Sequence, residues 1–337
     1  MFGRSINSKK VLLSGVKPTG RPHIGNYFGA MKQFVDLFNT GNYDCYIMVA
    51  DYHALNFIQN KDEMQESIID LALDYIAIGL DPKRIVLFKQ SDVSAHTELT
   101  WIFDTITTMP YLMRAHAFKD AEAKDKEISV GTFNYPMLMA ADILLYGTDI
   151  VPVGLDQKQH IEYARDTAQK FNTTFAKGQE IFKLPKELIM ESVQTVPGTD
   201  GRKMSKSYGN TISLFASDDE IRKAVMSIVT DSGTGPDGKP SVPVNVRAIH
   251  ELFNSALGRD KAHLERLYMD KAGRYKDLKE ALVKDAQDFI RPMRERREKL
   301  AKDRASIIKI LKKGGEQAAK VANAKLAEAK KAIGVSL

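Results

Sequence analysis

The 337-residue sequence has a single cysteine, Cys45, so an intrachain disulfide and a zinc or iron–sulfur centre built from cysteines are both excluded. A reducing compartment suits it. No apolar run approaches the roughly twenty residues that cross a bilayer, and Met1 to Lys10 holds no apolar core followed by a cleavage site, so a cytoplasmic chain with no membrane partner is expected. HExxH and any tight His/Asp cluster are missing, and His96, His116 and His250 read as core or surface residues. No protein-held metal site is therefore expected. GxSxG and the Walker A loop are missing as well, and the Gly-rich loop after the first strand is not a GxGxxG fingerprint, which sets aside the common hydrolase and nucleotide-binding motifs there.

At 43% hydrophobic and 27% charged residues, the composition is that of a folded chain of one large or two modest domains. Charge is unevenly placed: residues 261–337 carry 21 Lys and Arg against 11 Asp and Glu, although the whole chain is only +6. A basic C-terminal region points to a polyanion such as nucleic acid, and equally to a solvated helix surface.

Short apolar runs alternate with helical periods through the first half, the pattern of a doubly wound parallel α/β sheet. Strands are expected at Val11 to Leu13, Cys45 to Ala50, Ile85 to Phe88 and Ile150 to Val153. Between them, helices are expected from Tyr27 to Phe38, Ile68 to Ile78, Pro136 to Tyr146 and Gln157 to Phe171. After about residue 210 strand signals stop, and Ser217 with Glu220 has the form of a capping box opening a helical region. Helical periods then cover 246–257 and 278–313, Gly314 and Gly315 are expected to break the chain, and a last helix runs from Glu316 to Ile333.

Two constellations carry chemistry. The loop Ser14 to Asn26, rich in Gly and Pro, links the first strand to the first helix, where an α/β fold presents free N–H groups and a helix dipole to phosphate. Gly25 permits close approach of a ribose or base, and His23 and Asn26, three apart, offer neutral donors for charge growing on a phosphate; a turn with a capping Asn would have the same residues. The second is Gly201 to Ser207, where Lys203 and Lys206 stand among small hydroxyl residues and form a double clamp suited to pyrophosphate rather than a plain basic linker.

His23-Ile24-Gly25-Asn26 and Lys203-Met204-Ser205-Lys206-Ser207, about 180 residues apart, resemble the two signatures of class I aminoacyl-tRNA synthetases. The middle of the chain, Phe133 to Tyr146 and Asp149 to His160, is similar to the tryptophanyl-tRNA synthetases. Tyr135, Met139 and Asp142 fall at i, i+4 and i+7, so one helix face would present an aromatic ring, a thioether and a carboxylate. That face suits indole, whose N–H only donates.

The resemblance implies a Rossmann-like (HUP-type) fold with a C-terminal all-helical domain, ATP and L-tryptophan as substrates with Mg²⁺ on the phosphates, tRNA(Trp) as partner and a homodimer. It implies an ATP site of Lys17, Pro18, Thr19, Gly25, Asn26, Gly154, Leu155, Asp156, Val193 and Lys203 through Ser207, with Asp156 on the ribose and the backbone near Val193 on adenine. Leu13, His53, Val151 and Val153 would complete the tryptophan pocket, and Gln157 would reach the amino or carboxylate group. Lys17 stands where many relatives have Gln, and Leu155 where many have Glu. The catalytic set would be His23, Asn26, Lys203 and Lys206, acting by position and charge rather than as a general base. Residues 1–210 would form the catalytic domain, 211–300 a helical anticodon-binding domain, and 301–337 helices packing back on the first. A tyrosyl-tRNA synthetase and a non-catalytic RNA-binding relative are the alternatives.

Overall fold

Along the first strand, β1 (Lys10–Val16), alternate side chains are buried on opposite faces: Leu12 joins one apolar cluster while Val11 and Leu13 join another. A strand apolar on both faces must be central and covered twice, and β1 is the middle strand of the sheet. The computed structural model describes residues 9–123, 127–154, 158–189, 196–230, 242–271 and 273–336.

From β1 the chain passes through α1 (Ile24–Asn26), a π-helical segment (Tyr27–Met31) and α2 (Lys32–Asn39) into β2 (Tyr43–Val49). Then follow α3 (Asp51–Ala54), α4 (Lys61–Ala77), β3 (Val86–Lys89), a 3-10 turn (Gln90–Asp92), α5 (Ala95–Ile106), α6 (Met109–Leu112), α7 (His116–Ala123) and α8 (Val130–Leu144). Strand β4 (Ile150–Val153), α9 (Lys158–Ala176) and β5 (Lys186–Ile189) complete the sheet. The remaining helices are α10 (Asp218–Met226), α11 (Val244–Ala256), α12 (Lys261–Lys271), α13 (Tyr275–Ala301) and α14 (Arg304–Ala332).

The strands lie in the order β3-β2-β1-β4-β5 and every pairing is parallel, with Leu12 opposite Cys45, Tyr46 opposite Val86, and Ile150 opposite Lys186. This is the doubly wound α/β fold anticipated from the sequence. The chain crosses from one side of β1 to the other between β3 and β4, so the carboxyl ends of β1 and β4 form the switch point where such sheets bind ligands. One face is covered by α4, α10, α11 and α13, the other by α5, α8, α9 and the end of α14.

Helix ends follow local chemistry. Ser217 and Glu220 form the expected capping box of α10, and Ser129 caps α8 by accepting from Thr132 N–H at 3.1 Å. One reading is corrected, and one strand, β5, is not among those expected. Gly314 and Gly315 do not break the chain; they lie inside α14, and the break falls at Lys302 and Asp303. A Cβ on Gly314 would overlap the Leu87 carbonyl, so these glycines let the helix lie directly on β3. Strand β5 gave no apolar signal because it is an edge strand, Lys-Glu-Leu-Ile, with no fully buried residue.

The basic run on α13 also resolves differently from a free phosphate-binding cluster. Arg291 and Arg294 pair with Asp218 at 2.8 and 2.9 Å, Arg296 donates to the Ala77 carbonyl at 3.0 Å, and Arg297 binds Asp70 and, at 2.6 Å, Asp74. These arginines fasten α13 to α4 and α10.

Candidate active site

The loop leaving β1 and the segment Lys203 to Ser207 meet in space. Ile24 N–H donates to the Ile212 carbonyl at 2.9 Å, Leu214 N–H to the Pro22 carbonyl at 3.0 Å, and Lys206 Nζ to the Thr19 carbonyl at 3.0 Å. Gly20 adopts φ +67°, and a Cβ there would lie 3.0 Å from Lys206 Nζ. Met204 is buried behind Gly25, whose missing side chain leaves room between Met204 and the His23 ring. Ser205 N–H is anchored on Asn210 Oδ1 at 2.8 Å, and the Ser205 and Ser207 hydroxyls are 2.9 Å apart. Lys203 is exposed and held by its backbone, which accepts from Asn210 Nδ2 at 3.2 Å. Pro18 is buried, and the loop turns there with Thr19 N–H bonded to the Lys17 carbonyl at 2.9 Å.

His23 caps α1 from an extended backbone: Asn26 N–H donates to His23 Nδ1 at 3.3 Å, and His23 N–H donates to Asn26 Oδ1 at 3.1 Å. Capping and catalysis are thus compatible readings of the same pair. Because Nδ1 accepts, the ring proton sits on Nε2, and Asn26 keeps its amide N–H₂. Burial, helped by the charge of Lys206, lowers the His23 imidazole to about 4, so at neutral pH it is an uncharged donor.

Beside this loop opens a cavity of about 490 Å³ lined by Leu13, Lys17, His53, Tyr135, Met139, Asp142 and Val151 among the anticipated residues. Tyr135, Met139 and Asp142 come from one face of α8, as their spacing requires. Lys17 stands at 4.6 Å from the centre of the Phe57 ring, and burial lowers its ammonium below the ordinary lysine range. Val153 is buried in the core at the end of β4 and is not among the lining residues, whereas Gly154 beyond it is exposed. Leu155, Asp156, Gln157 and Val193 lie outside the described residues.

The floor of the cavity is ionic. Asp142 accepts from Gln90 Nε2 at 2.8 and 3.0 Å, and His53 Nε2 lies 2.9 Å from its Oδ2. His96 Nδ1 approaches Oδ1 to 2.6 Å, close but too poorly aligned to count as a full hydrogen bond. Burial pushes the carboxyl up, but both histidines outweigh it and hold Asp142 at about 2. At neutral pH the acceptor is ionised. Tyr135 Oη meets His160 Nε2 at 2.5 Å, and both residues line the cavity.

Sequence reasoning missed Gln90, His96 and His160. Gln90 follows the carboxyl end of β3, the side of the sheet where ligands bind, though β3 lies away from the switch point. Of His96 and His116, both expected in the core or at the surface, His96 is fully buried against Asp142 and His116 is exposed at the cavity rim. Nothing in their local sequence distinguishes them.

Residues 5–291 match the family model described as tRNA synthetases class I (W and Y). The tryptophan–tRNA ligase of Fusobacterium nucleatum is 44% identical, covering 96% of this chain and 97% of its own, and that of Rhodopirellula baltica is 42% identical, covering 96% and 99%. The crystal structure of tryptophanyl-tRNA synthetase from Campylobacter jejuni, complexed with ADP and tryptophan, superposes with a TM-score of 0.85 at 38% identity, covering 96% of this chain and 99% of that one. Each bears the tryptophan name, which leaves the tyrosine alternative without support. With its two nucleotide signatures joined at the switch point and a carboxylate-floored cavity beside them, the chain belongs to the class I tRNA synthetases, among the tryptophan–tRNA ligases.

Proposed function

We propose that this chain joins L-tryptophan to ATP as tryptophanyl-adenylate and passes the aminoacyl group to tRNA(Trp). The observation that carries the reading is Asp142, bonded by His53 and Gln90, at the floor of a cavity that Leu13, Met48, Met139 and Val151 line beside the His23 and Lys206 loops. An indole buried there needs an acceptor for its N–H, and an ionised carboxylate is acceptor only.

In the first step the tryptophan carboxylate, already ionised at neutral pH, attacks the α-phosphorus; the new O–P bond replaces the one to pyrophosphate, which leaves. No proton moves, so no general base is needed. His23 Nε2–H and the Asn26 amide donate to the α-phosphoryl oxygens, and Lys203 and Lys206 hold the departing pyrophosphate. Closure of the Lys203 to Ser207 segment gates the step. Lys17, at the cavity mouth, faces the substrate carboxylate or the α-phosphate. Asp156, Gln157, Leu155 and the backbone near Val193 complete the ribose, amino-acid and adenine contacts.

Among the described residues no group of three His, Cys, Asp or Glu could hold a metal, and the donors here are cationic or N–H groups. They fit Mg²⁺ arriving on ATP, held by phosphate oxygens. In this reading residues 1–210 carry the chemistry, 211–300 read the anticodon, and 301–337 brace the first domain. The chain works as a cytoplasmic homodimer. No described helix is long and apolar enough to cross a membrane.

The test is ATP–pyrophosphate exchange with each of the twenty amino acids. Exchange with tryptophan alone is the expected result. Exchange with tyrosine would overturn the substrate while keeping the chemistry, and silence with all twenty would shift the reading to a non-catalytic RNA-binding role.

A further inference from the structure

The wall of the cavity does not explain how Asp142 keeps its aim. Behind it, outside the lining residues, His96 on α5 and Tyr146 just beyond α8 form a chain: Tyr146 Oη lies 2.8 Å from His96 Nε2, and His96 Nδ1 lies 2.6 Å from Asp142 Oδ1. Both residues are almost wholly buried. They are also wedged by rings: Phe88 stacks on His96 at 6.3 Å between centres, and Tyr146 contacts Phe88 at 5.6 Å and Tyr46 at 4.9 Å.

A nitrogen 2.6 Å from a carboxylate oxygen must carry a proton, because two lone pairs at that distance repel. A neutral His96 with its proton on Nδ1 must then accept at Nε2, and Tyr146 is the donor that faces it. If the ring is doubly protonated, Nδ1–H still faces Asp142. In both states Nδ1–H lies against Oδ1 as a close electrostatic contact rather than an aligned hydrogen bond, and turning the ring would break that contact together with the one to Tyr146. His53 and Gln90 occupy the other directions around the carboxylate.

We propose that His96 and Tyr146 are positioning residues for amino-acid selection: through Asp142 they reward a ligand that offers an N–H at the cavity floor and disfavour one of equal shape that does not. The proposal rests on the reading of this cavity as the tryptophan site. It assigns the selectivity to a pair that never touches the ligand.

The readout is a ratio: the Kd of the benzothiophene analogue of tryptophan, in which sulfur replaces N–H, divided by the Kd of tryptophan, both by calorimetry. Wild type should prefer tryptophan. His96→Leu should narrow the ratio by at least about tenfold, Tyr146→Phe should narrow it less, and His96→Asn, which keeps a donor toward Asp142, should stay near wild type. A packing defect alone would weaken both ligands together and leave the ratio unchanged, which would overturn the proposal; so would equal narrowing in His96→Asn and His96→Leu. The ratio does not depend on the folded fraction, and Tyr146→Phe removes only a hydroxyl. Tryptophan binding with an unmoved ratio sinks the positioning role alone, whereas a wild type that binds no tryptophan sinks the assignment of the site and this proposal with it.

Discussion

Two carboxylates on opposite faces of the sheet are buried to almost the same degree yet held in opposite ways. Asp142 on α8 is 2% exposed and surrounded by Gln90, His53 and His96; Asp74 on α4 is 1% exposed and bonded to the Arg297 guanidinium at 2.6 Å. Burial raises both. For Asp142 the two histidines win and the carboxyl sits at about 2, whereas Asp74, which shares its arginine with Asp70, ends raised at about 6. Asp142 has His96 and His53, acting by charge and by N–H donation, while Asp74 has one guanidinium divided with a second carboxylate whose own charge pushes it up. How many partners a buried acid has, and whether it shares them with another acid, decides whether it stays ionised. The cavity floor spends this ionisation on function; the seam between α4 and α13 spends it on attachment.

The largest effect should come from breaking the seam. Arg297→Met leaves Asp74 without its partner and Asp70 with only Arg21 at 3.8 Å, and at pH 8 should cost about 3–5 kcal/mol in urea unfolding. At pH 5 the loss should shrink, since Asp74 can take up a proton. A loss as large at pH 5 as at pH 8 would mean that the guanidinium matters for packing against Phe215 rather than for charge.

At the cavity floor, Asp142→Asn keeps the shape and removes the charge while placing an amide N–H₂ among donors. The kcat/KM for tryptophan should fall by about a hundredfold or more, with the KM for ATP little changed. An equal loss for both substrates would show that the floor holds up the phosphate loops as well, and the division drawn between the two regions would fail.

The seam extends to α14, where Gly314 lies against the Leu87 carbonyl. Gly314→Ala should cost about 1–3 kcal/mol because the obstacle is strand backbone that cannot swing aside. Gly29→Ala, where a Cβ would meet nothing within 4 Å, is the control and should be neutral or stabilising.

These regions also differ in how far they can be read in advance. Tyr135, Met139 and Asp142 are legible because one helix sets their spacing, and the loops at His23 and Lys203 because each chemical unit is contiguous in sequence. The parallel α/β class follows from apolar runs that must be covered on both faces, while the strand order comes only from the fold. His96 and Gln90 are invisible for the opposite reason: each reaches Asp142 only after the sheet and α8 bring together residues 46 and 52 positions apart, and no local pattern encodes that meeting. The basic C-terminal region reads either as a polyanion-binding face or as solvated surface because the carboxylate partners of the α13 arginines, Asp70, Asp74 and Asp218, sit far away in the chain. Gly314 and Gly315 looked like a break because propensity penalises glycine in a helix, while the contact with β3 demands it.

The gentlest test follows the two carboxylates through their titrations. Asp142 has a folded pKa below its unfolded value of about 3.9, so its contribution to stability is present above that pH and is lost as the pH falls toward 2. Asp74 has a folded pKa above its unfolded value, so its contribution is present below about 3.9 and is lost as the pH rises through about 6. Urea unfolding of Asp74→Asn should therefore gain on wild type between pH 4 and 6, by no more than about 1.4 kcal/mol for each pH unit crossed. Asp142→Asn should instead fall behind wild type as the pH rises from 2 to 4 and run parallel to it above 5. If both differences changed in the same direction or in the same window, the partners around each acid would not be what separates them. Opposite signs in separate windows would tie the contrast to the chemistry around each carboxylate rather than to its depth.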